Sequence, residues 1–238
     1  MVDTRPPAPA DAFAELARIK FNETTFSDLL TRVTDLATRA IIGADQVSIT
    51  LVGTGGAHTA AYTGELALAL DEVQYERDQG PCLTAATADT TVHVADMAAE
   101  TRWREWTGEA VTAGVHSSLS IGLPMHQAVT GALNVYATRP AAFTDDAILL
   151  AQTFADYAAV AMTNAHLYET QATLAQHMQA AMHSRAVIEQ AKGIIMSERR
   201  CTADEAFAIL SKVSQNSNRK VRDVAAALVA RVAATRPS

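Results

Sequence analysis

Between Thr144 and Glu198 the chain has no proline, and Gly193 alone interrupts a run of helix-forming residues. The stretch predicts a long helix joining a body to a tail. Val160, Leu167, Leu174, Ala181 and Ile188 fall seven apart along it, with Asn164, Gln171, Met178 and Arg185 between them. The apolar positions favour a coiled-coil seam, while the polar ones weaken it or fix its register. A homodimer is the expectation, and a single solvent-bridging helix is the alternative.

The tail, Arg185 to Val229, has the spacing of three short amphipathic helices. Ile188, Ala191 and Ile195 give the first an apolar face. Thr202 followed three residues later by Glu205 is a capping box, which restarts the chain as a second helix with Ala206, Phe207, Leu210 and Val213 turned inward. Asn216-Ser-Asn218 breaks that helix and offers an N-cap at Asn218 to a third, with Val221, Val224, Ala225 and Leu228 on its inner face.

Two choices in the tail are poor for stability alone. Gly193 in mid-helix costs about 1 kcal/mol relative to alanine. Either something approaches that backbone closely or two helices cross there. Arg219, Lys220 and Arg222 crowd the start of the third helix, where the macrodipole disfavours each cation by about 0.3–1 kcal/mol. A bound phosphate reverses the penalty, because a helix start also offers free amides to an anion.

Charge supports the same partner. From His183 onward lie ten of the 19 Lys and Arg residues but five of the 26 acids, so this segment is net +5 and the remainder is −12. A basic tail on an acidic body is the footprint of local polyanion binding. The candidate contacts are Lys192, Gly193, Arg199, Arg200, Arg219, Lys220 and Arg222.

Ile188-Glu-Gln-Ala-Lys-Gly-Ile-Ile-Met196, then Ala206-Phe207 after a capped start, then Asn218-Arg-Lys-Val-Arg-Asp-Val-Ala225, resembles the ANTAR family of RNA-binding antitermination modules. The resemblance implies RNA stem-loops as partners, as pairs of short hairpin loops that suit two copies of the tail. Duplex DNA is the alternative, although no helix carries Gln or Asn with Arg projecting from its middle as a recognition helix does.

In the body, spacing predicts helices around Phe13, Leu16 and Ile19 and from Phe26 to Ile41. Beyond Gly43 the period falls to two. Gln46–Val52 and Ala57–Thr63 pair as a hairpin about Gly53–Gly56. After the acidic stretch around Asp71 and Glu76, Gln79-Gly-Pro-Cys82 turns into a helical segment. Thr90–Met97 is expected as a strand, Thr101–Gly114 as a helix holding both tryptophans, and Ser117–Met125 and Thr130–Ala137 as two more strands. The fold class is α+β, an antiparallel sheet with flanking helices, followed by the long helical linker and an all-α three-helix module.

Gly80-Pro-Cys82, Asp96 with Arg102-Trp103, Ser118-Leu-Ser-Ile-Gly-Leu-Pro124 and Gly131-Ala-Leu-Asn-Val-Tyr136 before a long helix resemble GAF sensor domains. That likeness implies sensing without naming what is sensed. A small-molecule ligand is thus expected without a named cofactor, with Cys82 and Trp103 beside its pocket. The expected domains are a disordered or helical extension over 1–19, the GAF-like domain over 20–165, the linker over 166–184 and the ANTAR-like domain over 185–238.

Cys82 also stands at a helix start, where a redox-sensing thiolate is favoured, but a small buried thiol is the commoner outcome. Some GAF-fold proteins reduce methionine sulfoxide with an attacking and a resolving thiol, whereas Cys82 is alone in its domain, so neither catalytic residues nor enzyme activity are expected. His58, His93, His116, His126, His166, His177 and His183 form no pair at metal-ligand spacing with one another or with a cysteine, and no metal is expected. MVDTRPPAPADAF lacks the basic start and apolar run of a signal peptide, and no later stretch is apolar enough to span a membrane, so the expected location is the cytoplasm.

Overall fold

The computed structural model describes residues 9–125 and 130–234. His126 and residues 1–8 of the stretch expected to be disordered lie outside these. The chain divides into two units, Met1–Glu169 and Thr170–Ser238.

The first unit is built on five antiparallel strands, β1 (Gln46–Gly53), β2 (Gly56–Tyr62), β3 (Thr91–Val94), β4 (Ser117–Leu123) and β5 (Thr130–Ala137), in the order β2-β1-β5-β4-β3. Alternation along the strands sorts side chains between two faces. Val47, Ile49 and Leu51 of β1, Leu119, Ile121 and Leu123 of β4, and Leu133 and Val135 of β5 enter the main core. That core also takes α1 (Pro9–Ala17), α2 (Phe26–Ala40) and the start of α6 (Asp145–Arg199). Thr25 caps α2 by accepting from the Asp28 amide at 3.1 Å, and Leu29, Val33, Leu36 and Ala40 then face inward at helical spacing. The expected N-terminal extension is part of this core: Ala12 and Leu16 of α1 are buried in it, and Phe13 meets Phe154 edge-on at 5.5 Å.

The opposite face carries Ser48, Thr50, Ser118, Ser120, Asn134 and Tyr136, and beside it pack α3 (Glu65–Glu76), α4 (Pro81–Ala88) and α5 (Arg104–Thr112). The sequence predicts no helix at α3, because its inward stripe of Ala67, Leu70, Asp71 and Gln74 is half polar and shows little apolar periodicity. α5 is shorter than expected. Trp103 stands at its N-cap position, and only Trp106 lies within the helix, its indole donating to the Leu70 carbonyl at 3.0 Å. The third expected strand likewise shrinks to Thr91–Val94, paired on one side with β4.

In the second unit the end of α6 packs with α7 (Ala203–Ser217) and α8 (Val221–Ala234). Ala191, Ile195, Ala206, Leu210 and Ala225 form its buried centre, three of them alanines that let the helix backbones draw close. Arg200 takes a left-handed conformation (φ 52°) after α6, and Thr202 opens α7 with the reciprocal capping box to Glu205. Asn218 is not the N-cap of α8. It closes α7 instead, at φ 51° and ψ 36°, because asparagine tolerates the left-handed cap better than other residues with a side chain.

Candidate nucleic-acid interface

The left-handed turn at Asn218 decides where the basic residues of the tail point. The Arg219 amide donates back to the Ser214 carbonyl at 3.2 Å, the Ser214 hydroxyl donates to the Arg219 carbonyl, and the Lys220 carbonyl accepts from the amides of Asp223 and Val224 at 2.9 and 3.2 Å. Lys220 therefore holds the N-cap position of α8, Arg219 precedes it and Arg222 lies in the first turn. All three are exposed. Arg222 pairs with Asp223 at 3.5 Å, both half-exposed, and such a surface pair offsets little of the unfavourable helix-dipole interaction.

A groove of about 460 Å³ runs between the three helices. Ile195, Ile209, Leu210, Val213, Val224 and Leu228 contribute its apolar lining. Arg199 lines it from the end of α6, Arg219 from the turn before α8 and Arg231 from α8 itself, with Glu198 the acid among the lining residues. Of the seven expected contacts, Arg199 and Arg219 are brought into this groove.

Gly193 lines a second groove with Gln190, Ile194 and Ser197 of α6 and Val229 and Val232 of α8. Nothing lies within 4 Å of where its Cβ would stand, so a close helix crossing is not what holds glycine at this position. Lys192 is turned to Glu189, its Nζ at 2.9 and 3.0 Å from the two carboxylate oxygens, and its side chain is 16% exposed. Arg200, Lys220 and Arg222 stay exposed beside the grooves without lining either.

Two residues expected in the tail's core are half-exposed. Val213 is at the surface because it lines the groove, and Phe207 because the buried stripe of α7 is only as wide as Ala206 and Leu210. Arg231 escaped the sequence reading, although Val224, Leu228 and Arg231 recur at helical spacing and place it on the groove side of α8.

In the first unit Cys82 and Trp103 fall in one small cluster with Ala85, Ala86, Val92 and Ala132. Burial, reinforced by the charge of Asp71, pushes the Cys82 thiol well above its ordinary pKa. The exposed thiolate that redox sensing needs is thus absent at Cys82. Trp103 is half-buried and carries the Arg102 guanidinium 4.4 Å above its ring, while Arg102 pairs with Glu100 at 2.6 Å and holds that carboxyl down at about 2. Among the described residues no cluster of three or more His, Cys, Asp or Glu side chains is placed to hold a metal ion, and no helix is long and apolar enough to cross a membrane.

Residues 23–163 match the model of the GAF domain and residues 176–229 that of the ANTAR domain. No curated protein matches the chain. Among solved structures, the phycoerythrobilin-bound GAF domain from a cyanobacterial phytochrome is similar at 16% identity and a TM-score of 0.53, covering 68% of this chain and 97% of that one. The free methionine-R-sulfoxide reductase from Neisseria meningitidis is similar at 17% identity and a TM-score of 0.50, over 66% of this chain and 86% of that one. At such identities the likeness shows the fold and leaves ligand and chemistry to each protein. A GAF domain followed by an ANTAR domain is an architecture of regulators, and the chain belongs to the GAF family as a GAF–ANTAR protein.

Proposed function

We propose that the chain is a transcription antitermination regulator that binds RNA stem-loops through its ANTAR unit under control of its GAF unit. The observation that carries this reading is the convergence of Arg199 and Arg219 from separate helical elements on one apolar groove of a net basic segment. RNA is commonly read at loops whose unstacked bases stack on aromatic rings or Arg guanidinium planes while cations hold the phosphates, and the arginines of the groove can serve both roles. The exposed Arg219, Lys220 and Arg222 at the start of α8 extend the cationic surface beyond it.

Binding is by a homodimer. Val160, Leu167 and Leu174 of the seven-residue pattern are all exposed large apolar side chains, which a parallel partner helix covers. Two modules on one RNA then gain affinity through effective concentration, matching a target with paired hairpin loops. The GAF unit takes a small molecule near Cys82 and Trp103, and the protein works in the cytoplasm beside the transcription machinery.

The test is fluorescence anisotropy of the full chain on labelled hairpin RNA and on duplex DNA of equal length, paired with transcription through a terminator that follows the hairpins. Tighter hairpin binding and protein-dependent read-through are expected. A preference for duplex DNA over every hairpin points instead to a DNA-binding regulator and removes the antitermination reading.

A further inference from the structure

The face of the sheet beside α3, α4 and α5 is polar where a domain interior is ordinarily apolar. Ser48 and Thr50 of β1, Ser118 and Ser120 of β4 and Asn134 of β5 are all buried there, and α3 adds Asp71, which is 0% exposed. The Tyr136 hydroxyl donates to Asp71 Oδ1 at 2.5 Å, the Asn134 amide lies 3.4 Å from the same oxygen, and Thr59 Oγ1 lies 2.8 Å from Oδ2. From Thr59 a chain of hydroxyls continues through Tyr75 to Thr50, each step 2.8 Å, and closes on the Asn134 amide at 2.8 Å.

The groups that face this carboxyl are therefore Ser48 and Thr50 on β1, Thr59 on β2, Asn134 and Tyr136 on β5 and Tyr75 on α3, with Cys82 of α4 close enough to feel its charge. The charged neighbour acting on it is Glu72 of its own helix, which has the same sign. Among the described residues neither a hydrogen bond nor an ion pair joins Asp71 to a lysine, arginine or histidine.

An ionised carboxylate at this position has lost water and gained no cation, so burial favours the protonated form against the hydrogen bonds from Ser48, Tyr136 and Thr59. The balance lifts its pKa from 3.8 to about 6. Tyr75, Tyr136 and Cys82 are all driven upward, away from that range. Either state of Asp71 finds partners, because the hydroxyls of Thr59, Tyr75 and Thr50 reverse as a chain when Oδ2 gains its proton. What differs is the cost of the buried charge.

We propose that Asp71 is a protonation-operated latch, which holds α3 against the polar face of the sheet when neutral and loosens it when ionised, so that the GAF unit responds to pH in addition to any small molecule it binds. Its regulatory meaning rests on the GAF unit controlling the ANTAR unit, while the latch itself does not depend on RNA binding. The folded-state pKa is raised, so the stabilisation from the bound proton is complete below the ordinary value of 3.8 and is lost as pH rises through about 6.

Hydrogen exchange of the α3 amides, Glu65–Glu76, in the full chain tests this at about pH 5.5 and about pH 7.5, after correction for intrinsic exchange. Local opening in the wild type should be roughly fourfold more populated at the higher pH, the change expected for a carboxyl raised from 3.8 to about 6. Asp71→Asn keeps the size and the hydrogen-bonding of the neutral carboxyl and should abolish the difference. Tyr136→Phe removes a donor that favours the ionised form and should move the transition to higher pH. Wild-type protection of α3 that does not change between the two pH values overturns the latch, whether or not either variant folds. So does a pH dependence that survives intact in folded Asp71→Asn, since a group other than Asp71 is then its source. No RNA enters the measurement, so failure of the latch and failure of the RNA-binding proposal are separate results.

Discussion

Arg199 at the end of α6 and Arg219 in the turn before α8 line the same groove, although all of α7 separates them in sequence. If both hold phosphates of one RNA, Arg199→Ala and Arg219→Ala should each weaken hairpin binding and each flatten the log-log salt dependence by roughly 0.7 to 0.9. Arg231→Ala should behave in the same way because its side chain lines the same groove. Arg200→Ala, next to Arg199 but outside the groove, should change the slope less. Salt-titrated anisotropy checks the set, and equal effects at Arg199 and Arg200 would show that the groove has no special part in binding.

Gly193 offers a sharper separation of stability from function. A methyl group there meets nothing within 4 Å, and alanine in mid-helix is favoured over glycine by about 1 kcal/mol. Gly193→Ala should therefore raise the melting temperature of the ANTAR unit by about 4–8 °C. It should also weaken hairpin binding, if the open backbone beside Val229 and Val232 is where RNA approaches. A variant that is more stable and binds RNA as well as the wild type removes Gly193 from the interface.

Thr202 and Glu205 carry the start of α7. The Thr202 hydroxyl accepts from the Glu205 amide at 3.3 Å, and the Glu205 carboxylate accepts from the Thr202 amide at 2.8 Å. Thr202→Ala removes one half of that reciprocal pair and should cost about 1 kcal/mol, read as a lower urea midpoint with an unchanged slope. Glu205 is held below its usual pKa by its bonds to Thr202, so this contribution is present at neutral pH and fades as acid protonates the carboxylate.

The strands and caps were legible because their signals are local. β1, β4 and β5 follow period-two alternation, β2 follows as the hairpin partner of β1, and the capping box needs only four residues. α3 was hidden for a reason that bears on the chemistry of the domain. Its inward stripe includes Asp71 and Gln74, whose partners Tyr136, Asn134, Thr59 and the Cys82 amide come from other elements. Periodicity identifies a buried face only when that face is apolar. The groove failed the same way in part: sequence marked Arg219 by its awkward place at a helix start, but only the packing of three helices joins it to Arg199 and Arg231. Asn218 was misplaced because asparagine serves both as an N-cap and as a left-handed C-cap, and the choice depends on how α7 ends.

Val160, Leu167 and Leu174 stay exposed on α6, and a solvent-facing helix gains nothing from large apolar side chains repeated at seven-residue spacing. A second copy of the chain supplies what covers them. Leu167→Asp combined with Leu174→Asp sets like charges against each other across that seam, so the double variant should sediment as a monomer where the wild type sediments as a dimer. The core of the GAF unit should survive, because Phe154, Ala158 and Met162 face it from the earlier part of the helix and neither substituted residue is buried. Affinity for a single hairpin should then change little, whereas affinity for RNA with two hairpins should fall toward the single-hairpin value as effective concentration is lost. A double variant that remains dimeric places the contact elsewhere, and a monomer that still favours paired hairpins over single ones shows that one ANTAR unit is enough.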